Sequence, residues 1–279
     1  MTEEPTMSPR PATGRSSISD MPRGGPNASW LDRKLQTDRL EYTDRYDVPD
    51  RVKQAVISSL DQMGRWWHVD EKVARVALAM VKYTPTPRIL ELGAGHGNLS
   101  ARIIAMHPYA TVTVSDVDPV SVRNIATGPL CEDRRVTPKV IDARSIREPD
   151  GSYDLVILAG AFHHLPPAVA CDAIAEATRV GRQFLIVDVI RPRPMVLLLA
   201  IALQALVCLP FAVVPRLAPF IHDGLISRLR TYSKSAYHAL AGASGPGITV
   251  DISGKRITGT PLSSIVMSRP HHPSSIHMN

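Results

Sequence analysis

Cysteine is scarce in this chain: Cys131, Cys171 and Cys208 are the only three, and they lie far apart. An odd, scattered set excludes a disulfide framework and a cysteine-built zinc site, and fits a reducing compartment, so the expected location is cytoplasmic. No block of Lys or Arg is present either. The net charge of +6 and pI near 9.4 are spread thinly along 279 residues, which argues against a nucleic-acid partner. Also missing is any apolar run long enough to span a bilayer comfortably, which takes roughly 20 residues. The longest run, "MVLLLAIALQALVCL", covers 195–209 and is stopped by Pro210. The opening residues contain no apolar segment of the secretory kind. They are rich in Pro, Ser, Gly and Arg and bury too little to offset the entropy of ordering.

What is present is 44 % hydrophobic content, ordinary for a globular protein. "RVKQAVISSLDQM" places Val52, Val56, Leu60 and Met63 on one helical face. "DEKVARVALAMVKY" opens with acids suited to a helix N-terminus, and "TPTP" ends it. Trp66 and Trp67, between these helices, are expected in the core. Thereafter strands and helices alternate. "RILEL", "ATVTVSD", "RVTPKVID", "YDLVILAG" and "QFLIVDVI" read as strands, with helical segments between them. That alternation predicts a parallel sheet covered by helices on both faces. Two closing strands, "GITVDISGKRITG" and "PLSSIVMSRP", complete it.

Three glycines at alternate positions, Gly93, Gly95 and Gly97, fall directly after the first strand and before a helix. Glycine is a poor choice inside either element. Bare backbone at a helix N-terminus lets a ligand lie against it. The spacing is G-x-G-x-G, with Asn98 where the third glycine of a dinucleotide site would fall. Glu91 sits at the end of the strand. Asp116 ends the next strand, where a carboxylate can accept the two hydroxyls of a ribose. Asp142 ends the third, followed by Ala143, which suits the amino group and ring of an adenine.

With "ELGAGHG", "VSDVDP", "IDA" and "YDLVILAGAFHHLP" in this order, the sequence over roughly 50–268 resembles the class I S-adenosylmethionine-dependent methyltransferases, in particular their quinone and polyketide branch. The resemblance implies a doubly wound, Rossmann-like α/β fold. Its seven-stranded sheet is mostly parallel, with an antiparallel last strand. It implies a disordered N-terminus over 1–29, a helical cap over 30–85, the cofactor-binding core over 86–190, a helical lid over 191–245, closing strands over 246–269 and a disordered tail over 270–279. S-adenosyl-L-methionine is the implied cofactor and S-adenosyl-L-homocysteine its product. Gly93, Ala94, Gly95, Gly97, Asn98, Asp116, Val117, Asp142, Ala143 and Gly160 would contact it. Glu91 would support the glycine loop or the methionine ammonium.

The implied reaction is methyl transfer, most simply to oxygen, on a hydrophobic small molecule. A hydroxyl acceptor often needs a base, and histidine suits that role at neutral pH. His163 is the candidate base. His164, His222, Asp223, Arg228 and Tyr232 are candidates for the substrate side. No resident metal is expected, and His271, His272 and His277 are read as part of a floppy tail. The apolar segment 195–221 has three readings: a roof over the substrate pocket, a homodimer interface, or a contact with a membrane surface. The rivals are a non-catalytic scaffold of the same fold, a dinucleotide oxidoreductase and an RNA methyltransferase. Asn98 disfavours the oxidoreductase. The RNA reading is disfavoured because no Asn/Asp-Pro-Pro-Tyr/Phe motif follows the fourth strand.

Overall fold

The computed structural model describes residues 18–208, 218–252 and 256–270. Three helices lead in: α1 (Trp30–Lys34), α2 (Asp50–Trp66) and α3 (Val69–Met80). The alternating part follows as β1 (Arg88–Leu92), α4 (Asn98–Met106), β2 (Thr111–Asp116), α5 (Pro119–Ala126), β3 (Val136–Val140), β4 (Leu155–Ala159), α6 (Pro167–Val180) and β5 (Phe184–Asp188). Then come α7 (Pro194–Cys208), α8 (Ala218–Arg230), α9 (Lys234–Ser244), β6 (Thr249–Asp251) and β7 (Ser263–Ser268).

The strands form one seven-stranded sheet in the order β3-β2-β1-β4-β5-β7-β6. β1 to β5 run parallel, and β7 is antiparallel to β5, with Phe184 opposite Met267 and Asp188 opposite Ser263. This is the mostly parallel, Rossmann-like sheet expected from the sequence. The order reverses between β1 and β4, the switch point where such sheets bind ligands beyond their carboxyl ends.

The central strands are nearly continuous apolar runs because both faces are covered. Alternate residues serve opposite cores. Leu90, Leu92, Val156 and Ile186 meet α6 and α9 through Ile174, Ala177, Tyr237 and Leu240. Ile89, Val112, Leu155 and Leu185 meet α3 and α4 through Val73, Ala77, Leu99 and Ile103. Burying each such side chain contributes roughly 1.5–3 kcal/mol.

Several expectations need correction. Residues 18–29, assigned above to a disordered N-terminus, are packed. Ile18 and Met21 lie in the core with Tyr232 and Tyr237, and Arg23 is buried. Arg23 donates to the carbonyls of His163 at 2.8 Å and Arg230 at 2.7 Å, and its guanidinium lies over the Tyr232 ring. Distant partners order a stretch that has little apolar content of its own. The rest of that assignment, 1–17, lies outside the described residues, as do 271–279 of the tail. Trp66 and Trp67 are exposed, not core. The apolar helix α7 buries only Leu197 and leaves Met195, Leu199, Leu203 and Leu206 in solvent. Among the described residues no helix is long and apolar enough to cross a membrane.

Candidate functional site

The carboxyl ends of β1 to β4 open into a cleft of about 820 Å³. That is near the top of the range for a single small-molecule site, roughly 300–1,000 Å³. At one end lies the glycine loop. Gly93, Gly95 and Gly97 have φ of +62°, +55° and +76°, the left-handed region that side chains avoid. The loop turns sharply enough to bring Gly97 to the N-cap of α4. The three glycines are not equivalent. A Cβ on Gly97 would strike Leu130 Cδ2 at 2.9 Å, whereas one on Gly95 would meet only Ile57 Cγ2 at 3.5 Å and one on Gly160 nothing within 4 Å. At Gly97 a side chain would have to displace the end of Leu130 and adopt a φ of +76°, so it is the backbone conformation that calls for glycine there. Gly95 and Gly160 keep bare backbone at an open cleft.

Asp116, at the end of β2, fixes the loop. Its Oδ2 accepts from the Gly95 N–H at 2.9 Å and its Oδ1 from the Asp118 N–H at 2.9 Å. Burial raises its pKa. Asp118 caps α5 by accepting from the N–H groups of Val120 and Ser121. Asp142 also lines the cleft and is paired with Arg144, which donates to it at 2.6–3.0 Å. Glu91, Gly93, Ala94, Asn98, Val117, Ala143 and Gly160 line the same cleft. The structure thus brings together every candidate cofactor residue except Gly97, which stands behind the loop.

Glu91 is 4 % exposed. Its Oε2 accepts from the Ser100 N–H at 3.1 Å and from the Ser100 hydroxyl, so it braces the first turn of α4. Burial pushes its pKa up to about 8 from an ordinary 4.5, against the pull of the Ser100 bonds. Between those two values the folded chain keeps a proton that the unfolded chain has released. Stability from this group is therefore full below about pH 4.5 and falls as pH rises towards 8, with a limiting slope of about 1.4 kcal/mol per unit. Glu91→Gln removes the titration and keeps an acceptor for both Ser100 donors. Its melting temperature should gain on wild type steadily from pH 5 to pH 8, as read by thermal scans across that range. A constant gap would contradict the buried, protonated Glu91.

The loop has a second clamp that sequence reading missed. His96 Nδ1 donates to Asp61 Oδ2 at 2.5 Å, and its Nε2 lies 2.9 Å from Gln54 Oε1. This ties the loop to α2. The signal was Gln54 and Asp61, seven residues apart and hence on one helical face. The apolar side of the same helix, Ile57, Leu60 and Met63, forms a wall of the cleft together with Trp67.

The same cleft is also lined by Glu41, Thr43, Asp44, His164 and Leu165. His163, the candidate base, does not line the cleft and is 8 % exposed. Its Nδ1 donates to Asp188 at 2.9 and 3.1 Å, and its Nε2 turns towards Glu41. Burial opposes its charge, but Asp188 and then Glu41 outweigh that and push its pKa up to about 10. A group that keeps its proton at neutral pH, away from the cleft, does not suit a general base. His164 is the histidine that faces the cleft.

The remaining substrate candidates stand elsewhere. Tyr232 is fully buried and donates to the Leu165 carbonyl at 2.7 Å. Asp223 accepts from the Tyr42 N–H at 2.9 and 3.0 Å and pairs with His222. Arg228 is not among the residues lining the cleft. Nor does any described residue of 191–245 line it, so α7 is not the expected roof. Residues 209–217 of that segment lie outside the described residues.

Residues 89–183 match a family described as "Methyltransferase domain". Similar solved structures include the plantazolicin methyltransferase BpumL in complex with S-adenosylhomocysteine, 13 % identical, covering 85 % of this chain and 97 % of that one at a TM-score of 0.60. A methyltransferase from Aquifex aeolicus is 16 % identical over 77 % of this chain and 96 % of that one, TM-score 0.51. The mitomycin 7-O-methyltransferase MmcR is 17 % identical over 72 % of this chain and 52 % of that one, TM-score 0.51. No curated protein matches the sequence.

Proposed function

We propose, starting from an S-adenosylmethionine-dependent methyltransferase whose methyltransferase domain spans residues 89–183, that this chain transfers the methyl group to an oxygen of a hydrophobic small molecule. The cofactor is S-adenosylmethionine. It supplies an activated methyl group, so the protein's task is to bind and align. One observation carries the reading: a single cleft has two chemically different kinds of lining. The glycine loop with Asp116 and Asp142 offers bare backbone and two carboxylates. Beside them the apolar wall of α2 and a few buried polar groups line the same cleft, the usual make-up of a small-molecule site.

In this reading Gly93, Ala94, Gly95 and Asn98 hold the amino-acid part of the cofactor. Asp116 accepts from the ribose hydroxyls. Val117, Asp142 and Ala143 meet the adenine, and Glu91 keeps α4 in place. Ile57, Leu60, Met63 and Trp67 cover the acceptor and exclude water from the transfer. MmcR acts on mitomycin, a small molecule, which is in keeping with such an acceptor. The exposed apolar face of α7 supports the contact with a membrane surface or a second copy expected above.

The test is transfer of labelled methyl from S-adenosylmethionine to a panel of apolar phenols, quinols and their amine analogues, with S-adenosylhomocysteine binding followed by calorimetry. Labelled methyl ethers are the expected product. A chain that binds the cofactor and labels only the amines would sink the oxygen assignment. One that binds no cofactor would be the scaffold.

A further inference from the structure

Beside the cleft, on the turn after β4, two consecutive histidines face one buried carboxylate. His163 and His164 lie on a single 3₁₀ turn, Phe162–His164, just after β4, with ring centroids 4.4 Å apart. Glu41 precedes another such turn, Tyr42–Asp44. Each of the three residues offers one ligand atom, and these atoms all lie within 4.8 Å of one another.

The ring tautomers are set from behind. His163 Nδ1 donates to Asp188, and His164 Nδ1 donates to both oxygens of Asp44 at 2.9 Å. A carboxylate accepts only, so each Nδ1 carries a hydrogen, and each Nε2 is the atom left to bind a metal, on His163 once the proton it holds towards Glu41 is displaced. This is the arrangement by which outer carboxylates hold metal-binding histidines. Asp44 is itself held by Arg230 at 2.7 Å.

Both Nε2 atoms turn towards Glu41. His163 Nε2 is 3.5 Å from Glu41 Oε1, and His164 Nε2 is 3.6 Å from Oε2. Neither contact is aligned as a hydrogen bond. His163 Nε2 and Glu41 Oε1 are buried without a hydrogen-bond partner, in residues 8 % and 4 % exposed. Burying polar atoms that far from water with no partner is costly, so something belongs between them. A tetrahedral ion with bonds of about 2.0–2.2 Å holds its ligand atoms about 3.3–3.6 Å apart; each histidine stands at that distance from a Glu41 oxygen, and the three ligand atoms lie within 4.8 Å of one another, so small side-chain shifts complete the set.

We infer that Glu41, His163 and His164 form a binding site for a divalent transition metal, of which zinc suits the donor set. Two imidazoles with one carboxylate suit zinc and disfavour magnesium or calcium, which take oxygen ligands. Three protein ligands leave a fourth position open. Glu41 and His164 line the cleft, so that position is accessible to water or to an oxygen of a bound molecule. No local pattern signals this site, because Glu41 is more than a hundred residues from the histidines it faces.

The competing occupant is a proton on His163, shared between Asp188 and Glu41. Calorimetric titration of the chelator-treated full chain with zinc chloride separates the two. Visible absorption on adding Co²⁺ checks the geometry, and S-adenosylhomocysteine affinity is measured in the same samples. We expect one equivalent of zinc and the absorption bands of tetrahedral Co²⁺. Glu41→Gln and His164→Gln should each weaken zinc by at least about 100-fold, and Asp44→Asn by roughly 10- to 100-fold. Changing His271, His272 and His277 together to Ala should leave the equivalent in place. A wild-type chain that binds S-adenosylhomocysteine but takes up no zinc would overturn the site. So would full zinc binding by Glu41→Gln and His164→Gln. The site does not rest on the methyl-transfer reading, and the cofactor affinity tells failure of one from failure of the other.

Discussion

Replacing Gly95 by Val should weaken S-adenosylhomocysteine binding by more than about 100-fold while leaving the chain folded. Two effects combine. Gly95 sits at φ +55°, where a side chain is strained by about 1–2 kcal/mol and a β-branched one by more. A Cβ would stand 3.5 Å from Ile57 Cγ2, so the two added methyls must crowd α2 or enter the cleft where the cofactor lies. The backbone could relieve the strain by turning over. It would then lose the bond from the Gly95 N–H to Asp116. Gly151→Val is the matching control. Gly151 has φ +68°, a Cβ there meets nothing within 4 Å, and it is not a lining residue of the cleft. It should lose comparable stability in a thermal scan and keep its affinity in calorimetry. Equal loss of affinity in both variants would mean that strain, not the site, was being measured.

How much of this could be read from the sequence depends on how far apart the interacting residues are. β1 and β4 were legible because both faces of a central parallel strand are buried, which writes a run such as "LVILA" directly into the chain. The glycine loop was legible because its strain and its function are local. The ends of β2 and β3 follow from the same rule, since a doubly wound sheet delivers successive strand ends to one edge.

What failed was long-range. Ile18 and Met21 stand alone in a Pro- and Gly-rich stretch, and nothing nearby announces that Arg23 will cap the carbonyls of His163 and Arg230. The histidine pair was noticed, but the role of His163 turns on Asp188 behind it and Glu41 in front. The run 195–209 is helical over its described part. Its apolar content could not say which face would be covered, because residues apolar all round carry no facing signal.

The second large effect is expected at Asp116, and it divides affinity from stability. Asp116→Ala should weaken S-adenosylhomocysteine by roughly 10- to 150-fold, the range for losing one hydrogen bond to a charged group, about 1.5–3 kcal/mol. The carboxylate already accepts the N–H groups of Gly95 and Asp118, one on each oxygen. Each oxygen has a second lone pair, so the same group can brace the loop and still receive the ribose hydroxyls. Asparagine does not replace it. One of its two ends is an amide donor and would face an N–H, so Asp116→Asn should bind nearly as poorly as the alanine variant. Asp118, two residues on, provides the contrast. Its side chain caps α5, and its tie to Asp116 is through the backbone N–H, which any residue keeps. Asp118→Ala should cost about 0.5–2 kcal/mol of stability, as lost caps do, with affinity within about twofold of wild type. Calorimetry and thermal scans on the three variants give both quantities. If Asp118→Ala lost the affinity and Asp116→Ala kept it, the ribose would belong to the other aspartate and the cofactor's placement would have to be redrawn.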